Sequence, residues 1–143
     1  MSTLTPSDCP SVTRDKIRYR DTDRQGHVNN AVFATFLETG RVEILYDPDG
    51  SLMSAGGEFV IASLKLDFKD ELHWPGEVAI GTYVRRLGTS SIHISQVLYQ
   101  GDRCVAEAET VVVQIDETTR RALPLSQRAR DRLGSLVLGR DRQ

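Results

Sequence analysis

One stretch of helical period stands between runs of period two, and this switch limits the architecture more than any other feature. From about Asn29 to Tyr46, the positions Val32, Phe36, Gly40 and Phe33, Leu37, Ile44 recur at three- and four-residue spacing, with Glu38, Arg41 and Glu43 interspersed. The apolar positions are broad, as in a helix covered on more than one side. Gly40 in mid-helix costs about 1 kcal/mol relative to Ala, which implies close backbone packing there. "DPDG" (47–50) stops the helix, because Pro48 cannot continue it.

Everything else reads as strand. "VTRDKIRYR" (12–20) sets Ile17 and Tyr19 on one face against Lys16, Arg18 and Arg20 on the other. "EFVIASLKLDF" (58–68) aligns Val60, Ala62, Leu64, Leu66 and Phe68, and further strands follow at 77–87, 90–100 and 103–116. The links "HWPG", "LGT" and "GD" are turn chemistry, hence antiparallel hairpins. "LPLSQRARDRLGSLVL" closes the chain as a short amphipathic helix, its arginines forming a solvated face. The class is α+β: one long central helix on the concave face of a curled antiparallel sheet of about five strands. Such a sheet has open edges, and side-by-side pairing of subunits would close one. Residues 1–11, with Pro6 and Pro10 among Ser and Thr, read as a flexible tail, and 12–143 as a single domain including the C-terminal helix.

Composition removes several functions. A net charge of −2 gives no broad basic field, so nucleic acid is not an expected partner. No run approaches about 18 apolar residues, so no membrane span is expected. "MSTLTPSDCPS" lacks the charged start and apolar run of a signal peptide. Cys9 and Cys104 belong to no CxxC pair, so free thiols in a reducing cytoplasm are expected.

The strand-to-helix corner "RDTDRQGHVNNA" (20–31) carries more polar, turn-forming groups than one helix cap requires. Asp21, Asp23 and Gly26 fit positions 1, 3 and 6 of a calcium loop, but position 12, which needs a bidentate Glu, is Val32. His27, His73 and His93 show neither HxxxH nor HExxH spacing, so no metal is expected. Capping by Asn29 or Asn30 explains part of the excess. A functional reading explains more. Backbone N–H groups at Asn29 to Ala31 point out of the helix with the positive dipole end behind them and can hold an oxyanion. Gly26 lets a substrate approach the backbone. Asp23 stands ready to attack a carbonyl or to activate water. With no Ser or Cys nucleophile nearby, the set suits an already activated acyl group, and a thioester is the natural candidate.

These residues resemble a known family. "YRDTDRQGHVNNAVFATFLETGR" is similar to the DxDxxGHVNN signature of hot-dog-fold acyl-CoA thioesterases of the 4-hydroxybenzoyl-CoA thioesterase type. The likeness continues through "LKLDFKDELHWPGEVAIGTYVRRLGTSSIHISQVLY" and "CVAEAETVVVQID", roughly residues 14 to 125. It implies a long helix wrapped by an antiparallel sheet, and a homodimer or homotetramer with active sites at the subunit interface. It also implies an acyl-CoA substrate and no cofactor beyond the CoA of that substrate. The catalytic carboxylate of the motif falls on Asp23, and the polarising backbone N–H falls near Asn30. Plant acyl-ACP thioesterases are also similar here, with Gln25 standing where they carry Asn, so acyl-ACP is the alternative substrate.

Another branch of the fold places its carboxylate two turns into the helix, which lands on Glu38. The competing role for Glu38 is an ion pair with Arg41. His27 is read as a partner of the catalytic groups or as a group orienting the attacking water, against a plain turn histidine. Gly26, Val28 and Asn29 are the loop residues that would line the substrate, while Ser90 and Ser91 resemble the segment near the CoA groove. Of Arg85 and Arg86, at most one would reach a CoA phosphate, because neighbours on a strand face opposite ways. Trp74 reads as filling the end of the core. A non-catalytic acyl-CoA-binding protein and a dehydratase of the same fold are the rival functions.

Overall fold

The computed structural model describes residues 4–47 and 50–138. In chain order its elements are β1 (Ser11–Ile17), α1 (Asn30–Leu45), β2 (Tyr46–Asp47), β3 (Gly50–Ser51), β4 (Gly57–Phe68), β5 (Gly76–Leu87), β6 (Ser91–Gln100), β7 (Arg103–Asp116) and α2 (Gln127–Gly134). Five of the strands form one sheet in the order β1-β5-β6-β7-β4, and every neighbouring pair is antiparallel. This is the hot-dog architecture that the resemblance implies. Pro48 and Asp49 of "DPDG" lie outside the described residues. The helix already ends at Leu45, and Tyr46 pairs with Ser51 in a small hairpin.

α1 lies on one face of the sheet. Phe33, Phe36 and Leu37 pack there against Ile17, Val78, Ile80, Leu98, Val105 and Ala108. Further along, Ile44 and Leu45 join Val84, Ile92, Ile94 and Val112, which are capped by Ala129 and Leu133 of α2. Gly40 is the closest point of approach: a Cβ there would sit 2.7 Å from Gln96 Nε2, Ile80 Cγ2 and Thr82 Oγ1. Gln96 is buried beneath the helix, and its Nε2 donates to the Leu37 carbonyl at 2.9 Å and to Thr82 Oγ1 at 3.0 Å. The close packing expected at Gly40 is present.

Three local readings are corrected. β1 stops at Ile17, and Tyr19 is 72% exposed rather than inward. The Asp21 carboxylate takes the Arg18 backbone N–H at 2.8 Å, which folds Tyr19–Asp21 into a 3-10 turn and ends the alternation. In β4 the register shifts between Ile61 and Ser63, so inward positions change parity. Phe59 packs into the core before the bulge and Leu66 after it, while Ile61, Leu64 and Phe68 stay substantially exposed on this edge strand. The N-terminal segment is also more ordered than a flexible tail from Thr5 onward. Pro6–Asp8 form a 3-10 turn with Pro6 and Cys9 buried against the outer face of the sheet, where Gly81 leaves room for them.

Both thiols are unpaired, as expected from their sequence context. Burial first, then the charge of Asp8, pushes the Cys9 thiol up to about 11, and burial also raises Cys104. Because the thiolate is the reactive form, neither cysteine should label rapidly with a disulfide reagent at pH 8. Both should label completely in denaturant. Fast labelling of Cys9 in the folded protein would show that the N-terminal turn does not stay docked. Among the described residues, no helix is long and apolar enough to cross a membrane.

Candidate active site

The corner between β1 and α1 is a closed loop with a tied neck. Asn29 N–H donates to the Asp21 carbonyl at 2.8 Å, and Thr22 and Val28 pair as an isolated bridge. Asp21, 3% exposed, anchors the neck with its carboxylate on the Arg18 backbone N–H and guanidinium. Beyond the neck, Asp23 N–H donates to the His27 carbonyl at 2.7 Å and Gly26 N–H to the Asp23 carbonyl at 3.2 Å. Gly26 adopts φ +81°, a left-handed turn conformation that L side chains seldom accept, and open space surrounds its Cβ position.

Asp23 is exposed, yet its carboxylate is held. Oδ1 accepts the backbone N–H of Gln25 at 2.8 Å and of His27 at 3.2 Å. Among the described residues, Oδ2 has no partner. At the helix start, Asn29 is the N-cap: its side chain accepts the Ala31 N–H at 2.9 Å, and its carbonyl accepts the Val32 N–H at 2.9 Å. The N–H groups of Val28, Asn29, Ala31 and Val32 are therefore all used. The Asn30 N–H, at the first helical position, has no acceptor among the described residues. Sequence spacing points to N–H groups from Asn29 to Ala31, and the hydrogen bonds narrow them to this one.

The other candidates divide. Val28 is 3% exposed, with its side chain in the core and its N–H on the Leu72 carbonyl at 2.8 Å, so it supports the loop and does not line its surface. Glu38 is exposed on α1 and forms no ion pair with Arg41 among the described residues. Arg41 is buried, and burial lowers its pKa while Glu38 pulls it back up; its Nη1 has no partner. Ser90 sits in the β5–β6 turn and Ser91 opens β6, where Gly88 N–H donates to the Ser91 carbonyl and Gln114 N–H to the Ser90 carbonyl. β5 starts beside Ile17 and runs 12 residues, about 40 Å at the usual strand rise, toward that turn. Within one protomer the two serines and Asp23 are therefore not brought together.

Arg85 and Arg86 both line one groove of about 380 Å³ with Lys65, His93 and Glu109, so the two do not face opposite ways as strand alternation implies. The β5 register shifts between Val84 and Arg86, and this bulge cancels the alternation. Trp74 is 44% exposed and meets Tyr19 edge-on at 5.2 Å, so it does not fill the core.

Sequence spacing separates the histidines, but the fold brings two of them together. His27 and His73 form an isolated antiparallel bridge with ring centroids 5.0 Å apart, and His27 Nε2 lies 2.6 Å from Glu71 Oε2. Glu71 and His73 flank the fully buried Leu72 in an extended segment, so both point outward. That Glu-x-His alternation is the one local signal that pairs them.

A family model described as the thioesterase-like superfamily matches residues 17–133. The chain is 30% identical over 129 residues to the long-chain acyl-CoA thioesterase FadM of Escherichia coli K12, covering 87% of this chain and 98% of that protein. A Thermus thermophilus thioesterase, solved in complex with coenzyme A and zinc, is 30% identical with a TM-score of 0.77, covering 90% of this chain and 95% of that one. A Pseudomonas aeruginosa protein shares the fold with a TM-score of 0.81 at 23% identity, over 94% of this chain and 96% of its own.

Proposed function

Because the chain belongs to the thioesterase-like superfamily, we propose that it hydrolyses an acyl-CoA thioester to a carboxylic acid and free CoA thiol. The observation that carries this reading is the pairing, on one tied loop, of a held carboxylate at Asp23 with the unclaimed N–H of Asn30. The thioester carbonyl accepts from Asn30 N–H, which stabilises the oxyanion as the tetrahedral centre forms; one such donor is worth ~10²–10³ in rate. Asp23 either takes a proton from the attacking water or attacks the carbonyl itself, forming an anhydride that water then opens. The C–S bond breaks and the sulfur leaves as thiolate, to be protonated by solvent. His27, whose backbone N–H is fixed by Asp23, is the neighbouring polar group for that water. The reaction calls for no cofactor, since CoA is part of the substrate.

The functional unit we propose is a homodimer or homotetramer with active sites between subunits. Two features support it: among the described residues the sheet has unpaired edges at β1 and β4, and β4 leaves Ile61, Leu64 and Phe68 substantially exposed. A reducing, cytoplasmic setting fits the two free thiols.

The test is a thiol-release screen of purified protein over acyl-CoAs of varied chain length and aromaticity, with acyl-ACP alongside. Release from at least one acyl-CoA is expected. Binding of these esters with no thiol released from any of them would overturn the reading in favour of a binding protein.

A further inference from the structure

We infer that His27, Glu71 and His73 form a binding site for a divalent transition-metal ion, Zn²⁺ by its donor set. One ligand atom from each of the three residues lies within 4.8 Å of the others. Donors around tetrahedral zinc at bond lengths near 2.0–2.1 Å stand about 3.3 Å apart, so small rotations about the side-chain bonds close the set. Two imidazole nitrogens and one carboxylate oxygen favour zinc over calcium or magnesium, which take oxygen ligands. Three protein ligands leave a further coordination position for water.

The backbones that carry the ligands are fixed before any ion arrives. His27 and His73 are held side by side by their bridge, reinforced by Val28 N–H on the Leu72 carbonyl at 2.8 Å. Gln100 clamps His73 from both sides, accepting its N–H at 3.0 Å and donating to its carbonyl at 2.8 Å. Arg103 donates to the Glu71 carbonyl at 3.1 Å and to Gln100 Oε1 at 3.0 Å, while Asp23 holds the His27 N–H. Such outer hydrogen bonds orient metal ligands. A simple His27–Glu71 hydrogen bond does not account for the third member. The His73 ring has no hydrogen bond among the described residues, and it stands edge-on to His27 at an interplanar angle of 82°. The site is open to solvent, with the His27 and Glu71 side chains 34% and 52% exposed. A bound ion would cross-link the Asp23 loop to the segment leading into β5.

The experiment titrates Zn²⁺ into chelator-treated, full-length protein by calorimetry, with Co²⁺ absorbance reporting nitrogen ligation. One ion per chain is expected, with a rise in Tm. Glu71→Gln and His73→Ala should each weaken binding at least tenfold and remove the Tm rise. Both residues are surface groups, so their metal-free melts should match the parent; His73→Gln replaces any alanine variant that does not. Asp23→Asn, which keeps the acceptor for His27 N–H, should bind as the parent does, so the metal site and the proposed hydrolysis fail independently. Absence of one-to-one binding by the parent would overturn the site. So would equal affinity in Glu71→Gln and His73→Ala.

Discussion

Asp23→Asn is expected to lower kcat for acyl-CoA hydrolysis by about 10²–10⁴ with little change in KM, the usual worth of a positioned proton-transfer group. The substitution is informative because Asn keeps the oxygen that accepts from Gln25 and His27, the two bonds that shape the loop. Circular dichroism and Tm should therefore match the parent, and the loss belongs to the missing negative charge. Thiol release under saturating substrate measures it. A variant with near-parent kcat would remove Asp23 from the chemistry. A larger loss in Glu38→Gln would transfer the role to the helix carboxylate.

Gly40→Ala is expected to destabilise the protein by about 1–3 kcal/mol, the cost of overpacking a well-filled core. Helix propensity alone predicts the opposite sign, a gain of about 1 kcal/mol. Packing wins because none of the three atoms met at 2.7 Å yields easily. Ile80 and Thr82 are β-branched residues on the buried strand β5, and Gln96 is pinned by its bonds to Leu37 and Thr82. In a domain of this size, the loss lowers Tm by about 3–12 °C, readable in a thermal melt. An unchanged or raised Tm would mean that helix and sheet are looser here than the contacts imply.

Gly40 also illustrates what the chain discloses before folding. A glycine inside a helical period has a local cost, and a local cost implies a compensating neighbour, although its identity awaits the fold. The central helix, the β5–β6 and β6–β7 hairpins and the strand-to-helix corner are legible for the same reason, since each is written in residues close together; "HWPG" is not a hairpin turn, because β4 pairs with the distant β7 and not with β5. The misreadings share a cause as well. Period two sets Tyr19 on the face of Ile17, but Asp21, two residues on, reaches back to the Arg18 N–H and turns the chain, and no periodicity reports that bond. The bulges in β4 and β5 each shift one register, which reverses the faces of Val60 and Ala62 relative to Leu64, Leu66 and Phe68 and puts two arginines in one groove. His27 and His73 are distant in sequence and meet only because the loop pairs with the segment before β5.

The tied neck of the corner loop has an evolutionary consequence. The bonds that join β1 to α1 are made by Arg18, Asp21, Thr22, Val28 and Asn29, while Arg24, Gln25 and Gly26 project beyond them and are exposed. Strand and helix are held together from below the loop, so its tip is mechanically insulated from the core. Tip side chains can drift at little thermodynamic cost, provided that the loop length and the left-handed turn at Gly26 are kept, because the Gln25 backbone N–H is one of the two supports of the Asp23 carboxylate. On such a scaffold the side chains of the rim are free to vary, while the backbone of the loop is conserved by what it holds.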